Sequence, residues 1–223
     1  MTVRRHAASG AAAVTVALVA LTACGAKTPD YQSIWNSSAT PTTSSAPTTT
    51  EQPVPFSDFL ERLGVTGEPV APDKLTDVTV TLPRPKGWQQ YSNPSSQPGT
   101  IVIARNNTFP TAILLAFKLH GNFDVADAIK HANSDAVLSK NFTKLNESFV
   151  DFDGFPSAMI EGSYDNTAGE RLHSYNRVVI PVTRAPAFDR YLIQLTVTSR
   201  ADQAVADADD IQAIIDGFKV TLK

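Results

Sequence analysis

The chain contains one cysteine, Cys24, and its surroundings limit the chemistry that this thiol can do. A single cysteine cannot form an internal disulfide or a paired-cysteine redox or zinc site. A catalytic thiol needs a positioned base, which the apolar run ending at residue 24 does not supply. A core cysteine needs a folded element around it, yet a polar, proline-rich segment follows. Covalent attachment of another group is therefore the predicted role of Cys24.

The residues before Cys24 have the composition of an export signal. Arg4 and Arg5 provide a short positive region, and residues 11–23 form a 13-residue stretch without charge. That length suits the apolar region of a signal peptide and falls short of the roughly 20 residues of a membrane-spanning helix. We predict a signal peptide over residues 1–23 and export by the Sec route, because the residues after Arg5 do not fit a twin-arginine motif.

Residues 21–24 (LTAC) resemble the bacterial lipobox, with Ala23 before the cleavage point and Cys24 after it. In proteins with this motif the thiol receives a diacylglyceryl group, the signal is cleaved before the cysteine, and the new N-terminus is often acylated. The motif therefore predicts cleavage between Ala23 and Cys24, with S-diacylglycerol and an N-acyl group such as palmitate on Cys24. Two or three acyl chains anchor a protein stably, since each buried methylene contributes about 0.8 kcal/mol.

A second group of candidate residues lies on one predicted strand. His173, Tyr175 and Arg177 alternate along the sequence LHSYNRV, so their side chains share one face of that strand. They are candidates for the rim of a pocket that binds a sugar or a carboxylate; an ordinary solvent-facing strand is the alternative. Trp88, which follows a glycine, is a candidate for stacking on a ligand sugar, and the alternative is a core aromatic residue.

No other pattern in the chain indicates catalysis. The sequence lacks phosphate-binding glycine loops and the HExxH, G-x-S-x-G and EF-hand patterns. The three histidines after the signal are too scattered for a metal site, and His131 is expected on the solvated side of a helix. Asp151 and Asp153 form either an acid/base pair or, before Gly154, a hairpin turn, which is the favoured interpretation. We predict no catalytic residue, metal or cofactor, and an unrecognised hydrolase is the enzymatic alternative.

The overall composition is that of an ordinary globular protein. Hydrophobic residues make up 42% of the chain and charged residues 18%. The formal net charge is -3, which provides no electrostatic footprint for nucleic acid, since that would need a clustered basic surface. Nucleic acid is therefore excluded as a predicted partner.

Residues 24–53 are predicted to form a disordered tether behind the lipidated cysteine. Residues 37–53 are rich in Ser, Thr and Pro and include no large apolar residue, so they cannot bury enough surface to offset the cost of ordering. The 29 residues after Cys24 span about 30 Å as a coil and about 90 Å when extended. The composition also suits O-glycosylation, and a plain spacer is the alternative.

Residues 54–223 are predicted to form one globular α+β domain. Apolar residues recur with helical spacing at 56–63, with Ser57 as the predicted cap, at 125–136 after the predicted cap Asp124, and at 211–218. Apolar runs between these helices predict strands at 78–82, 101–104, 112–119, 147–152, 157–164, 172–182, 190–198 and 220–222. Because strict strand–helix–strand alternation is lacking, we predict a mainly antiparallel sheet of six to eight strands with packed helices.

Several strings spread over the chain are similar to one known family. Besides the lipobox and tether they are VTGEPVAP, LPRPKGW, FPTAILLAFKLH, GFPSAMIEGSYD, RLHSYNRVV, RYLIQLTVTSRADQAV and DIQAIIDGF. On these strings the chain resembles the mycobacterial LpqN/LpqT lipoproteins, and the LpqT branch in particular. The resemblance implies a single α/β sandwich of the Mog1/PsbP type, on the outer face of the plasma membrane or in the cell wall, without established catalysis. It also implies a role in envelope biogenesis, including binding of acylated trehalose-type glycolipids and contact with lipid exporters.

Two functional hypotheses follow. The first is a non-enzymatic, lipid-anchored envelope protein that binds a lipid or glycolipid, or docks onto a lipid exporter. It requires an apolar cleft in the folded domain. The second is an adhesion or host-interaction lipoprotein whose acylated N-terminus is recognised by innate host receptors through Cys24.

Overall fold

The computed structural model describes residues 52–90, 96–105 and 107–223. The predictions for residues 1–51 lie outside the described residues; they include the cleavage site at Ala23, the lipid attachment at Cys24 and most of the tether. In the part of the chain that is described, no helix is long and apolar enough to cross a membrane.

The described residues form ten β-strands and four α-helices. The strands are β1 (Thr66–Pro69), β2 (Val78–Thr81), β3 (Trp88–Gln90), β4 (Ile101–Arg105), β5 (Thr108–His120), β6 (Thr143–Ser148), β7 (Ser157–Asp165), β8 (Arg171–Val179), β9 (Arg190–Arg200) and β10 (Lys219–Leu222). The helices are α1 (Phe56–Arg62), α2 (Val125–Ala128), α3 (Ser134–Val137) and α4 (Ala208–Gly217), with short 3-10 turns at Pro72–Lys74 and Ile129–His131.

The strands form one large antiparallel sheet and a separate small one. Within the described residues the large sheet has eight strands, ordered β3–β4–β5–β9–β8–β7–β6, with β1 paired to β5 beside β4. Strands β2 and β10 pair with each other in the two-stranded sheet. Every one of these strand pairs is antiparallel. The predicted α+β class with a mainly antiparallel sheet is confirmed.

Strand β5 is central, and its two faces are both covered. Every residue from 110 to 117 is buried, as expected for a strand with packed layers on each side. Successive side chains point to opposite faces, so Leu114 and Ala116 join one core while Ile113 and Phe117 join the other. We call these faces the α4 face and the α1 face, after the helices that cover them.

Different elements cover the two faces. On the α4 face, Ile211 and Ile214 of α4 pack with Val78 of β2 and Val220 of β10 against the sheet. On the α1 face, the core contains Phe56 and Leu60 of α1, together with the apolar side chains of α2 and the following 3-10 turn. The small sheet therefore lies against the α4 face, where it forms part of the site described below.

Helix α1 begins differently from the prediction. Pro55 occupies the cap position without a side-chain bond, and Ser57 lies inside the first turn, so the prediction of Ser57 as the cap is wrong. The carboxylate of Asp135, at the start of α3, instead accepts a hydrogen bond from the backbone N–H of Phe56. The cap of α1 is thus supplied from a distant part of the chain.

The second predicted helix is broken into three short pieces. The cap is as predicted, since the Asp124 side chain accepts a hydrogen bond from the N–H of Asp127. The chain bends at Asn133, whose side-chain amide turns inward and donates to the backbone oxygen of Met159 at 3.2 Å and to Glu147 at 3.0 Å. These long-range bonds hold Asn133 against β6 and β7 at the point where the helix is interrupted, and the prediction of one continuous helix over 125–136 is therefore wrong.

The strand predicted at 147–152 is displaced. Strand β6 ends at Ser148, and Val150 beyond it is 74% exposed. In the described part of the chain β6 is an edge strand that pairs with β7 alone. The hairpin turn predicted at Asp153 and Gly154 is confirmed: both have positive φ, 51° and 83°. Phe152 and Phe155 on either side exchange backbone hydrogen bonds of 2.9 and 3.0 Å, which defines a type I′ turn.

Candidate functional site

A cleft of about 220 Å³ opens between the two sheets. Its floor is formed by Ile103 of β4 and Leu114 of β5, which are buried in the core of the α4 face. Its walls include the half-buried side chains of Val80, Leu82 and Ile101. The cleft therefore combines a sealed apolar floor with walls that still expose apolar surface.

The local sequence explains why the sheets separate here. The segment after β2 contains Pro83 and Pro85, which have no N–H to continue a hydrogen-bonded ladder. The chain therefore leaves the small sheet and turns at Lys86 and Gly87 before it enters the large sheet as β3. Leu82 lies at this divergence, where it lines the cleft.

Polar side chains surround the mouth of the cleft. Asp73, Arg84 and Gln90 all line it and all are exposed. Arg84 donates a hydrogen bond of 3.0 Å to the side-chain oxygen of Gln90, which holds the guanidinium at the rim. The rim thus offers a cation, a carboxylate and an amide beside an apolar interior.

The dimensions limit what the cleft can hold. Small-molecule sites usually measure roughly 300–1,000 Å³, whereas this cleft measures about 220 Å³. Because its floor is apolar and its rim is polar, the cleft suits a ligand that has both apolar and polar parts. The arrangement suits binding of part of an amphiphile.

Trp88, the candidate for ligand stacking with a core aromatic residue as the alternative, lies in the core beside the cleft. It is 3% exposed, and its indole N–H donates to the carboxylate of Asp210 at 2.9 Å. Arg105 also donates to Asp210, at 3.2 Å, and forms an ion pair with the buried Asp207. The ring therefore presents no open face to a sugar, and its role here is to fix the start of α4 on β3 and β4.

The three residues predicted to share a face of β8 do so, on the α4 face. Tyr175 is buried, while His173 and Arg177 are half-buried. His173 Nε2 lies 2.9 Å from the carboxylate of Glu161. Arg177 donates from Nε to the Tyr175 hydroxyl oxygen at 2.7 Å and from Nη1 to the Ser157 hydroxyl oxygen at 3.1 Å. The strand is thus more enclosed than an ordinary solvent-facing strand.

Burial determines the ionisation of Tyr175. It raises the pKa of the phenol, while the positive charge and hydrogen bond of Arg177 act in the opposite direction. The phenol therefore stays protonated at neutral pH. Its oxygen accepts a hydrogen bond from Arg177. Its own hydrogen has no acceptor among the residues that the structure describes, so it can serve as a donor.

The β8 cluster and the cleft are two separate places. Strands β5 and β9 lie between β4 and β8, which separates those two strands by about 14 Å at the usual strand spacing. The structure therefore brings His173, Tyr175 and Arg177 together but leaves Trp88 apart from them.

The other histidine that the sequence singled out, His131, is half-buried. The ring of His131 stacks on that of Phe59, with centroids 3.8 Å apart, because α1 packs beside the 3-10 turn that carries it. The expected solvated side chain is instead half-buried, with one face of its ring covered by Phe59. Among the residues that the structure describes, no group of three or more His, Cys, Asp or Glu side chains could hold a metal ion.

Sequence reasoning missed the cleft. Its walls come from strands that were predicted, but Asp73, Arg84 and Gln90 have no spacing that points to a shared site. The available signal was the pair of prolines after β2. They show that the hydrogen-bonded pairing of β2 ends there, but not which residues lie on the other side of the cleft. Only the pairing of β2 with the distant β10 places Val80 above the floor.

The fold and the site define a class of protein: a small α+β sandwich with an amphiphilic cleft between its sheets. The chain belongs to a family of lipoproteins. The family model described as "Probable lipoprotein LpqN" matches residues 52–221.

Relatives support the same family over nearly the whole chain. The chain is 55% identical over 215 residues to "Putative lipoprotein LpqT" of Mycobacterium tuberculosis (strain H37Rv), covering 96% of this chain and 94% of the relative. The protein of the same name in Mycobacterium leprae is 51% identical over 213 residues, with 96% and 95% covered. The predicted membership of the LpqN/LpqT family is therefore confirmed.

A solved structure supports the fold. The crystal structure of LpqN of Mycobacterium tuberculosis matches with a TM-score of 0.63 at 20% identity, covering 74% of this chain and 95% of that chain. That protein is described as involved in cell envelope biogenesis. At this identity the likeness shows the fold, and the α/β sandwich implied by the family resemblance is confirmed.

Proposed function

We propose that this protein is a lipid-anchored, non-enzymatic protein of the cell envelope, and that its cleft holds the apolar part of a lipid or glycolipid. The observation that carries the proposal is the cleft, whose apolar floor and charged rim suit an amphiphile. Membership of a lipoprotein family supports a place in the envelope. The lipobox supports an acyl anchor on Cys24, which would hold the domain at the outer face of the plasma membrane after Sec export.

The walls of the cleft supply the binding energy in this proposal. Val80, Leu82 and Ile101 are only half-buried, so a bound acyl segment would remove apolar surface from water at about 25 cal/mol per Å². A polar headgroup would stay at the rim, where the guanidinium of Arg84 and the carboxylate of Asp73 offer hydrogen bonds. The small volume means that most of a long acyl chain stays outside the cleft.

The family supports the biological setting. LpqN is described as involved in cell envelope biogenesis, and we extend that role to this chain as part of the proposal. A protein that shields part of an apolar chain at the membrane surface suits the handling of envelope lipids. A lipid exporter is the proposed partner, because it would release or accept such a ligand.

Mass spectrometry of the full protein purified from its own envelope tests the ligand. Covalent acyl groups on Cys24 persist in a denaturing spectrum, whereas a ligand in the cleft appears only in the native spectrum. The expected result is a native mass that exceeds the denatured mass by that of one lipid or glycolipid.

A variant that fills the cleft provides the matched comparison. Ile101→Trp should reduce ligand occupancy about tenfold because the indole occupies the space of the acyl segment. Val205→Trp is the control, since Val205 is 91% exposed and does not line the cleft. Equal occupancy in both variants would show that the ligand binds elsewhere. An unloaded wild-type protein would contradict the proposed ligand and leave docking on an exporter as the better hypothesis.

A further inference from the structure

We infer that Arg177 is the centre of an oxyanion site on the α4 face, which binds the carboxylate or phosphate group of a ligand. The site lies on β8 and is separate from the cleft, so it does not depend on the proposed function. Four features of the surroundings of Arg177 support it: rigid placement, engaged neighbouring carboxylates, additional donors and open guanidinium hydrogens.

The guanidinium of Arg177 is held rigidly. It lies 4.5 Å from the centroid of the Phe152 ring and 5.7 Å from that of the Tyr175 ring. Phe152 is itself stacked on the buried Phe218, with centroids 5.4 Å apart. With the hydrogen bonds to Tyr175 and Ser157 already described, these contacts fix the plane of the guanidinium before any ligand arrives.

Within the described residues, no carboxylate lies close enough to Arg177 to form a salt bridge. The acidic residues in this region each have another donor. Glu161 faces His173 at 2.9 Å, and Asp153 accepts from the backbone N–H of Val220 at 2.9 Å. Asp216, which acts on Tyr175 only through its charge, accepts from Gln212 at 2.7 Å. The guanidinium therefore has no paired carboxylate among these residues, and its hydrogen bonds to an anionic ligand would be charge-assisted.

One further donor is bonded to Arg177, and another lies near the Phe152 ring against which the guanidinium packs. The hydroxyl hydrogen of Tyr175 is available, because the oxygen of that group accepts from Arg177. The ammonium group of Lys219 lies 5.8 Å from the same Phe152 ring that carries the guanidinium. Its ion pair with Asp153 is long, at 3.8 Å, so the ammonium group can turn to a ligand.

The hydrogen-bonding capacity of Arg177 completes the site. A guanidinium has five N–H hydrogens, and among the described residues only those of Nε and one of Nη1 have acceptors. The others are free to form the paired, parallel bonds with which arginine binds a carboxylate or phosphate. Lysine cannot reproduce that geometry, because its ammonium group acts as a point charge.

Titration by nuclear magnetic resonance tests the inference. The full chain in detergent is titrated with inorganic phosphate and, separately, with sodium acetate, at ionic strength held constant with chloride. The signals to follow are the Arg177 side-chain N–H and the backbone amides of Phe152 and Tyr175. A saturable shift with one of the two anions assigns the site to phosphate or to carboxylate, and saturation with both assigns it to oxyanions generally.

The variants distinguish binding from general charge effects. Arg177→Lys should weaken binding about tenfold, because it retains the charge but loses the paired donors. Tyr175→Phe, which retains the ring but loses the hydroxyl donor, should weaken anion binding by a smaller factor. It replaces Arg177→Lys as the test variant if that protein does not fold. Arg200→Lys is the control, since Arg200 already pairs with Glu170 at 2.7 Å. Non-saturable shifts, or equal affinity in wild type and Arg177→Lys, would overturn the inference.

Discussion

Cys24 is the residue on which the location of the protein depends in our proposal. In Cys24→Ser the hydroxyl cannot accept the diacylglyceryl group, so we expect the variant to lose the acyl mass and the firm attachment to the membrane that two or three chains provide. Intact mass and membrane fractionation measure both effects. Ala26→Ser, a neighbouring change that retains the thiol, should behave as wild type. An unmodified cysteine in the wild-type protein would contradict the anchor.

Folding strongly alters the ionisation of Asp135. Burial raises the pKa of its carboxyl to about 6, although the hydrogen bond from Phe56 lowers it, and the nearby charge of Asp58 raises it further. The folded state therefore holds a proton on Asp135 more tightly than the unfolded state does. As a result this residue favours folding at low pH, and its contribution is lost as the pH rises through about 6.

Asp135→Asn tests this coupling. The amide retains an acceptor for the Phe56 N–H without a buried charge, so we expect it to stabilise the fold by about 1–2 kcal/mol at pH 7.5 and by much less at pH 4. Urea unfolding at both pH values measures the difference. Asp202→Asn, at a site whose side chain is 74% exposed, should change the free energy of unfolding by less than about 0.5 kcal/mol at either pH. A destabilised Asp135→Asn at pH 7.5 would show that the charge itself holds α1.

At the scale of elements, the start of α4 depends on one cluster of polar residues. Arg105 of β4 bonds to both Asp207 and Asp210, and Trp88 of β3 adds a bond to Asp210. Asp207 is buried, at 5% exposed, so removal of its cation leaves a carboxylate without compensation. The cluster thus ties the helix to the same strands that form the floor and rim of the cleft.

Arg105→Met should therefore destabilise the fold by about 2–3 kcal/mol, less than for a fully buried pair because Arg105 is partly exposed. Arg200→Met removes an arginine from a surface pair with Glu170 and should cost at most about 1 kcal/mol. Chemical denaturation of both variants gives the comparison. A similar decrease in the free energy of unfolding of the two variants would mean that the cluster at α4 stabilises the fold no more than a surface ion pair does.

At the scale of the whole molecule, the two sheets differ in the extent of their strand pairing. Strands β5 and β9 pair over nine positions in the centre of the large sheet, whereas β2 and β10 pair over four. Regions with few hydrogen bonds and few partners open locally at lower free energy than the core. The small sheet is therefore the part of the cleft most able to move, while the floor stays in place.

Hydrogen exchange followed by mass spectrometry tests this difference. Amides of β2 and β10 should exchange faster than those of β5 and β9, and a ligand in the cleft should slow β2 in particular because it bridges both sheets. Protein stripped of its ligand and protein purified with it provide the pair of samples. Equal protection of all four strands would show that the sheets open as one unit.

Local sequence predicted much of the fold. The alternation in 190–198 and the apolar run at 112–119 predicted strands that exist. Successive side chains of a strand point to opposite faces, so the order of apolar and polar residues shows which faces are buried. The turn at Asp153 and Gly154 was equally predictable, since few residue pairs adopt positive φ in succession. Prediction was wrong where a distant group overrode the local pattern, as at Ser57, where Asp135 supplies the cap, and at Asn133, which bonds to β6 and β7.

The candidate sites divide in the same way. The sequence by itself determined that His173, Tyr175 and Arg177 share a face, and it singled out Cys24 as an attachment point, because strand period and a short motif are properties of neighbouring residues. Only the tertiary structure decided that Trp88 is a core residue and that a cleft lies between the sheets. The partners involved are far apart in the chain: Arg105 and Asp207 are 102 residues apart. No local pattern encodes such contacts, since they depend on the packing of the whole domain.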